Sequence, residues 1–80
     1  MEGDTLTLNR LPVGEKGRIK NLLQKGHERR RMLDLGLIRG TVVEALQKSP
    51  SGDPTAYYIR GTVIALRTED AGKILIDRYT

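Results

Sequence analysis

Cysteine, tryptophan and phenylalanine are all missing from this 80-residue chain. Without cysteine there is no disulfide and no thiolate metal site, which removes the usual staples of small secreted domains and predicts a cytosolic setting. With no Phe or Trp and only three tyrosines, the core has to be aliphatic, built from Leu, Ile, Val and Ala. Branched aliphatics suit a pleated surface, so the composition favours a compact β-rich domain. No apolar run approaches the ~18 residues a membrane span needs. The N-terminal MEGDTLTLNR has acidic residues where a signal peptide has basic ones, and the expectation is a soluble chain with no anchor of its own. Neither G-x-x-x-x-G-K-S/T nor G-x-G-x-x-G occurs, so the nine glycines are read as turn punctuation rather than phosphate loops. A chain this size buries about 60% of the surface its unfolded form exposes. That predicts one domain over 1–80, with 1–4 a flexible tail and no large catalytic cleft.

What is present is unevenly placed. The net charge is +4, yet residues 16–31 hold seven bases (Lys16, Arg18, Lys20, Lys25, Arg29, Arg30, Arg31) against the single carboxylate of Glu28. From residue 40 onward five bases face five acids, so the excess positive charge belongs to the first half.

The segment RRRMLDLGLIRG, residues 29–40, predicts the one strong helix and its stop. Met32, Leu33 and Leu35 form an apolar stripe at helical spacing, and Gly36 follows where a left-handed cap is wanted. A Schellman ending would set Leu37 back against Met32. The helix is expected from about His27 to Leu35.

Around it the chain reads as strands: TLTLN with Leu6 and Leu8 on one face, Gly17 to Leu23, Thr41 to Lys48, Thr55 to Ile59, Thr62 to Arg67 and Ile74 to Arg78. SPSGDP is a loop by composition, Arg60 and Gly61 a tight hairpin turn, and Glu69 to Ala71 one helical turn. Short strands, hairpins and one capped helix point to a small, partly open β-barrel. Parity puts Val43, Ala45, Tyr57, Ile59, Ile64, Leu66, Ile74 and Ile76 inside, with Val42, Glu44, Leu46, Ala56 and Tyr58 on the opposite face.

Four stretches taken in order, LNRLPVGEKGRI, RRRMLDLGLIRG, SPSGDPTAYYIRG and TVIALRTEDAGKILI, make the chain similar to the FeoA family, small cytosolic proteins of bacterial ferrous iron uptake. Arg39 stands where that family often has proline. The resemblance implies an SH3-like barrel, also found as a C-terminal domain of some metal-dependent repressors. It further implies a non-enzymatic accessory role as a partner of the FeoB transporter, acting on its cytoplasmic part, with the membrane reached only through that partner.

The residues themselves support no catalytic or cofactor site. His27 has no recognisable nucleophile partner and cannot assemble a two-His, one-carboxylate iron triad. It reads as a solvated or capping residue. Glu69 and Asp70 read as complements to the dipole of a helical turn rather than cation ligands. No metal, cofactor or catalytic residue is therefore expected.

The arginine run is different, because bases early in a helix and Asp34 near its end both oppose the helix dipole. Either Asp34 pairs locally with Arg30 and Arg31, or Arg29 and Arg30 meet an acidic partner. Tyr58, adjacent to the inward Tyr57, is expected outside. With Val42, Leu46 and Ala56 it forms an apolar patch, unless the N-terminal strand or the helix covers it. The expected partner-binding set is Arg29, Arg30, Arg39, Leu46 and Tyr58. The alternative function is nucleic-acid binding by a small basic barrel, against which stands the scarcity of aromatic stacking platforms.

Overall fold

The computed structural model describes residues 5–79; the expected N-terminal tail, 1–4, lies outside them. Six strands form one antiparallel sheet: β1 (Thr5–Thr7), β2 (Lys16–Leu22), β3 (Val42–Lys48), β4 (Thr55–Ile59), β5 (Thr62–Leu66) and β6 (Ile74–Arg78). Their order is β1-β6-β2-β3-β4-β5. Both β1 and β5 are end strands, so the barrel is open. A helix, α1 (Gly26–Asp34), and a single helical turn, α2 (Thr68–Ala71), complete it.

The predicted helix stop is present in full. Leu35 is the last helical-type residue and Gly36 has φ +101. The Gly36 N–H donates to the Leu33 carbonyl at 3.0 Å and the Leu37 N–H to the Met32 carbonyl at 3.1 Å, the two bonds of a Schellman motif. Both Leu37 and Met32 are buried in the core. The cap thus turns the chain and returns an apolar side chain to the interior in one step.

Strand alternation places the core. Val43, Ala45, Tyr57, Ile59, Leu66, Ile74 and Ile76 are buried, joined by Leu8, Leu11, Ile19 and Leu22, with Ile64 half-buried against them. Tyr57 is the aromatic centre of this aliphatic interior, and its hydroxyl donates to the Leu8 carbonyl at 3.4 Å.

One expectation is corrected. TLTLN does not continue as a strand to Leu8: β1 ends at Thr7 and Leu8–Arg10 form a 3-10 turn. The turn swings Leu8 under the sheet, where it is fully buried, while Leu6 packs at the core margin. Tertiary burial of one leucine outweighs the weak preference for alternation over five residues.

Two bulges shape the sheet, between Ile19 and Asn21 in β2 and between Ala45 and Gln47 in β3. A bulge adds an unpaired residue and bends its strand. In β3 that residue is Leu46. The Ser49–Pro54 loop closes through a Ser49 N–H to Pro54 carbonyl bond at 3.1 Å. Its Asp53 carboxylate accepts the Thr68 N–H at 2.9 Å, so α2 receives its N-terminal acceptor from a distant loop.

Candidate functional site

The outer sheet face is read off the cross-strand pairs. Lys16 lies opposite Glu44, Glu44 opposite Tyr58, and Tyr58 opposite Val63. The next row runs Gln47, Ala56, Ala65, with the bulged Leu46 between the rows. The first row is therefore charged over β2 and β3 and apolar over β4 and β5. Tyr58 is 45% exposed, Leu46 37% and Val63 59%, so neither the N-terminal strand nor α1 covers this patch. Val63, the most exposed large apolar side chain of the described residues, is missing from the sequence-based set. The inward assignment of Ile64 and Leu66 would have revealed it by parity.

The arginines lie elsewhere. Met32 of α1 is buried with Tyr57 and Ile59, which seats the helix on the inner side of the sheet, whereas Tyr58 and Leu46 face outward. The structure brings Leu46 and Tyr58 together but does not join them to Arg29 and Arg30 in one patch. Arg39 sits in the exposed link between α1 and β3.

Within α1 the first of the two alternatives, local pairing of Asp34 with Arg30 and Arg31, is not formed. Among the described residues the ion pairs within 4.0 Å are Lys20–Asp77, Lys73–Glu28 and Arg78–Glu15. Arg29 has a role in the fold: its Nη1 donates to the Leu22 carbonyl at 3.1 Å, tying the helix to the end of β2. Arg30 is exposed and has no hydrogen-bond or ion-pair partner among the described residues.

No group of three or more His, Cys, Asp or Glu side chains among the described residues is placed to share a metal ion. His27 is exposed in the first turn of α1, and Glu69 and Asp70 occupy the first turn of α2. Nor is any described helix long and apolar enough to cross a membrane.

Together these features define a small open SH3-like barrel with one short helix. The family model for the FeoA domain matches residues 6–78, and the chain belongs to the FeoA family. A curated relative, the Fe(2+) transport protein A/Fe(2+) transporter FeoB fusion protein of Porphyromonas gingivalis, is 32% identical over 72 residues. The match covers 90% of this chain but 8% of that protein's length.

Among solved structures, the FeoA-like protein of Clostridium acetobutylicum superposes with TM-score 0.88 at 29% identity, covering 99% of this chain and 92% of that one. Stenotrophomonas maltophilia FeoA complexed with zinc, described as an SH3 domain protein, gives TM-score 0.81 at 26% identity, covering 90% and 89%. A manganese-dependent transcriptional repressor shares the fold alone, with TM-score 0.85 at 12% identity over 99% of this chain and 44% of its own.

Proposed function

We propose that this chain is a non-enzymatic, cytoplasmic accessory protein of ferrous iron uptake that binds the cytoplasmic part of a FeoB transporter and modulates it. The observation that carries the reading is the Porphyromonas relative, in which a segment 32% identical to this chain is part of the same polypeptide as FeoB. Fusion holds two modules at high effective concentration, an arrangement with a use when the separate modules associate.

The outer patch of Tyr58, Leu46 and Val63 offers that partner an apolar anchor. Arg30 and Arg39 supply charge at separate places on the surface. Tyrosine is among the residues that most often dominate binding energy at interfaces.

Binding of the purified chain to the purified cytoplasmic region of the transporter, at two salt concentrations, tests this. Tyr58→Ala should speed dissociation and weaken binding by about 1–2 kcal/mol with little change in salt dependence. Arg30→Glu with Arg39→Glu should slow association and reduce the salt dependence. Absence of binding by the unaltered chain overturns the reading. Wild-type affinity in both variants moves the interface elsewhere, and a nucleic-acid control distinguishes the basic-barrel alternative.

A further inference from the structure

A sheet that does not close has edges, and in this one β5 is the long edge: five residues, against three in β1. Exposed edges are normally blunted by charge, proline or a bulge. The β5 sequence TVIAL carries none of these, and its pairing with β4 is regular throughout.

The hairpin turn fixes which backbone groups the edge displays. Arg60 and Gly61 have φ +50 and +81, the signs of a two-residue type I′ turn. Ile59 and Thr62, which flank it, are therefore a hydrogen-bonded pair, and bonding alternates from there. Tyr57 and Ile64 bond; Tyr58 and Val63, and Ala56 and Ala65, do not. The N–H and C=O groups of Val63 and Ala65 thus point away from β4, toward the open side.

That side is a groove with α1 as its far wall. A cleft of about 480 Å³ lies between Leu33, Asp34 and Leu35 of the helix end and Thr62 and Ile64 of β5. A second, of about 330 Å³, lies between Glu28, Arg31 and Met32 and the Ala65–Arg67 end of the strand. Helix on one side and unsatisfied strand edge on the other is the arrangement that takes an extended peptide by strand addition.

We infer that this groove binds a single extended segment of another protein, added to β5 as a seventh strand and flanked by α1. A second copy of the chain is the wrong shape, because its β5 arrives with its own sheet and its own α1, which would meet this helix. The charges say what kind of segment fits. Arg60 and Asp34 line one end; Arg31 and Arg67 share the other with Glu69 and Asp70, and Glu28 there lies 3.9 Å from Lys73. On a chain of net charge +4 the groove is a neutral strip with an apolar middle. The complementary segment is uncharged, with β-branched residues at alternate positions. The inference does not depend on which protein supplies the segment, and so stands or fails separately from the transporter reading.

The probe is a synthetic peptide, acetyl-Gly-Thr-Val-Thr-Val-Thr-Gly-amide, added to the full chain and followed by amide NMR. Binding with a Kd of about 1 mM or tighter is expected, with amide exchange slowed roughly tenfold at Val63 and Ala65 and unchanged at Ile64, whose N–H already bonds to β4. Two N-methylated versions, one methylated at the valines and one at the threonines, supply the decisive comparison. A peptide strand turns only alternate N–H groups toward its neighbour, so one version should bind like the parent and the other should lose about tenfold or more.

Ala65→Pro should also lose binding while folding normally, since the missing N–H faces the groove. The methylated peptides keep the test sound if that variant fails to fold. No binding of the parent peptide, equal binding of the two methylated versions, or protection at Thr5–Thr7 instead of Val63 and Ala65 would each overturn the inference. So would protection of Val63 and Ala65 on concentrating the protein alone, which would make the occupant a second copy.

Discussion

Gly36→Ala should destabilise the protein by about 1–3 kcal/mol, the cost of holding an L-residue in a sparsely populated backbone region. Gly36 has φ +101, beyond the small left-handed region open to other residues near +50 to +70°. The chain could escape the strain by rotating to negative φ, but that would break the two cap bonds at 3.0 and 3.1 Å and swing out Leu37, which is 0% exposed. Losing a buried leucine costs about 2–5 kcal/mol, more than the strain, so the variant should keep the cap and carry the penalty.

A Cβ at position 36 would also sit 3.3 Å from Arg60 Cδ, but the arginine stem is flexible and can yield. Gly40→Ala is the control: φ is +91 there and a Cβ would meet nothing within 4 Å. Urea unfolding followed by far-UV circular dichroism measures both. With a slope of about 1 kcal/mol per molar urea for a small domain, the midpoint of Gly36→Ala should fall by roughly 1–3 M. Gly40→Ala should fall within about 0.5 kcal/mol of it, because strain dominates both. A loss below about 0.5 kcal/mol at Gly36, or a variant structure with negative φ and Leu37 still buried, would refute the reasoning.

Three further outcomes are expected. Burial pushes the Tyr57 phenol above its ordinary value, opposed by a hydrogen bond with Thr55 and aided by the Asp53 carboxylate. The unfolded chain then ionises first, so this contribution is intact below pH ~10 and declines above it by at most ~1.4 kcal/mol per pH unit; a denaturation series on Tyr57→Phe should lack that part of the slope. Arg29→Ala should lower stability by about 0.5–1.5 kcal/mol through loss of its bond to the Leu22 carbonyl, whereas Arg30→Ala should stay within about 0.5 kcal/mol of the unaltered chain; equal losses in parallel melts would contradict the assignment. Anaerobic calorimetry with ferrous iron should show no stoichiometric micromolar site in the isolated chain, because a lone histidine and no cysteine leave no ligand set of the usual kind.

Some of the candidate site was readable from spacing because its causes are local. Tyr57 and Tyr58 are neighbours in a strand, so one had to face in and the other out; the aliphatic company of Tyr57 decided which. Arg29 shows the opposite case. The sequence marks it as a charge at odds with the helix dipole, and nothing nearby reveals the Leu22 carbonyl that it holds. That acceptor exists only because β2 ends beside α1.

The outer patch lies between these cases. Its parity was legible, but the bulge that projects Leu46 arises from the pairing of β3 with β4. The groove beside β5 could not be read from the sequence, since its walls lie about thirty residues apart in the chain.

By itself the sequence determined the Schellman stop at Gly36, the inward residues of β3 to β6 and the Arg60–Gly61 turn. Each follows from backbone sterics or from a period of two residues, and none of the three depends on what lies across the core. Only the tertiary structure decided that Leu8 leaves β1 to fill the interior, that α1 and Tyr58 occupy opposite sides of the sheet, and that the edge of β5 faces the helix. Those outcomes depend on how an open barrel curls to bury its few large aliphatic side chains, a competition among distant residues that no local pattern encodes.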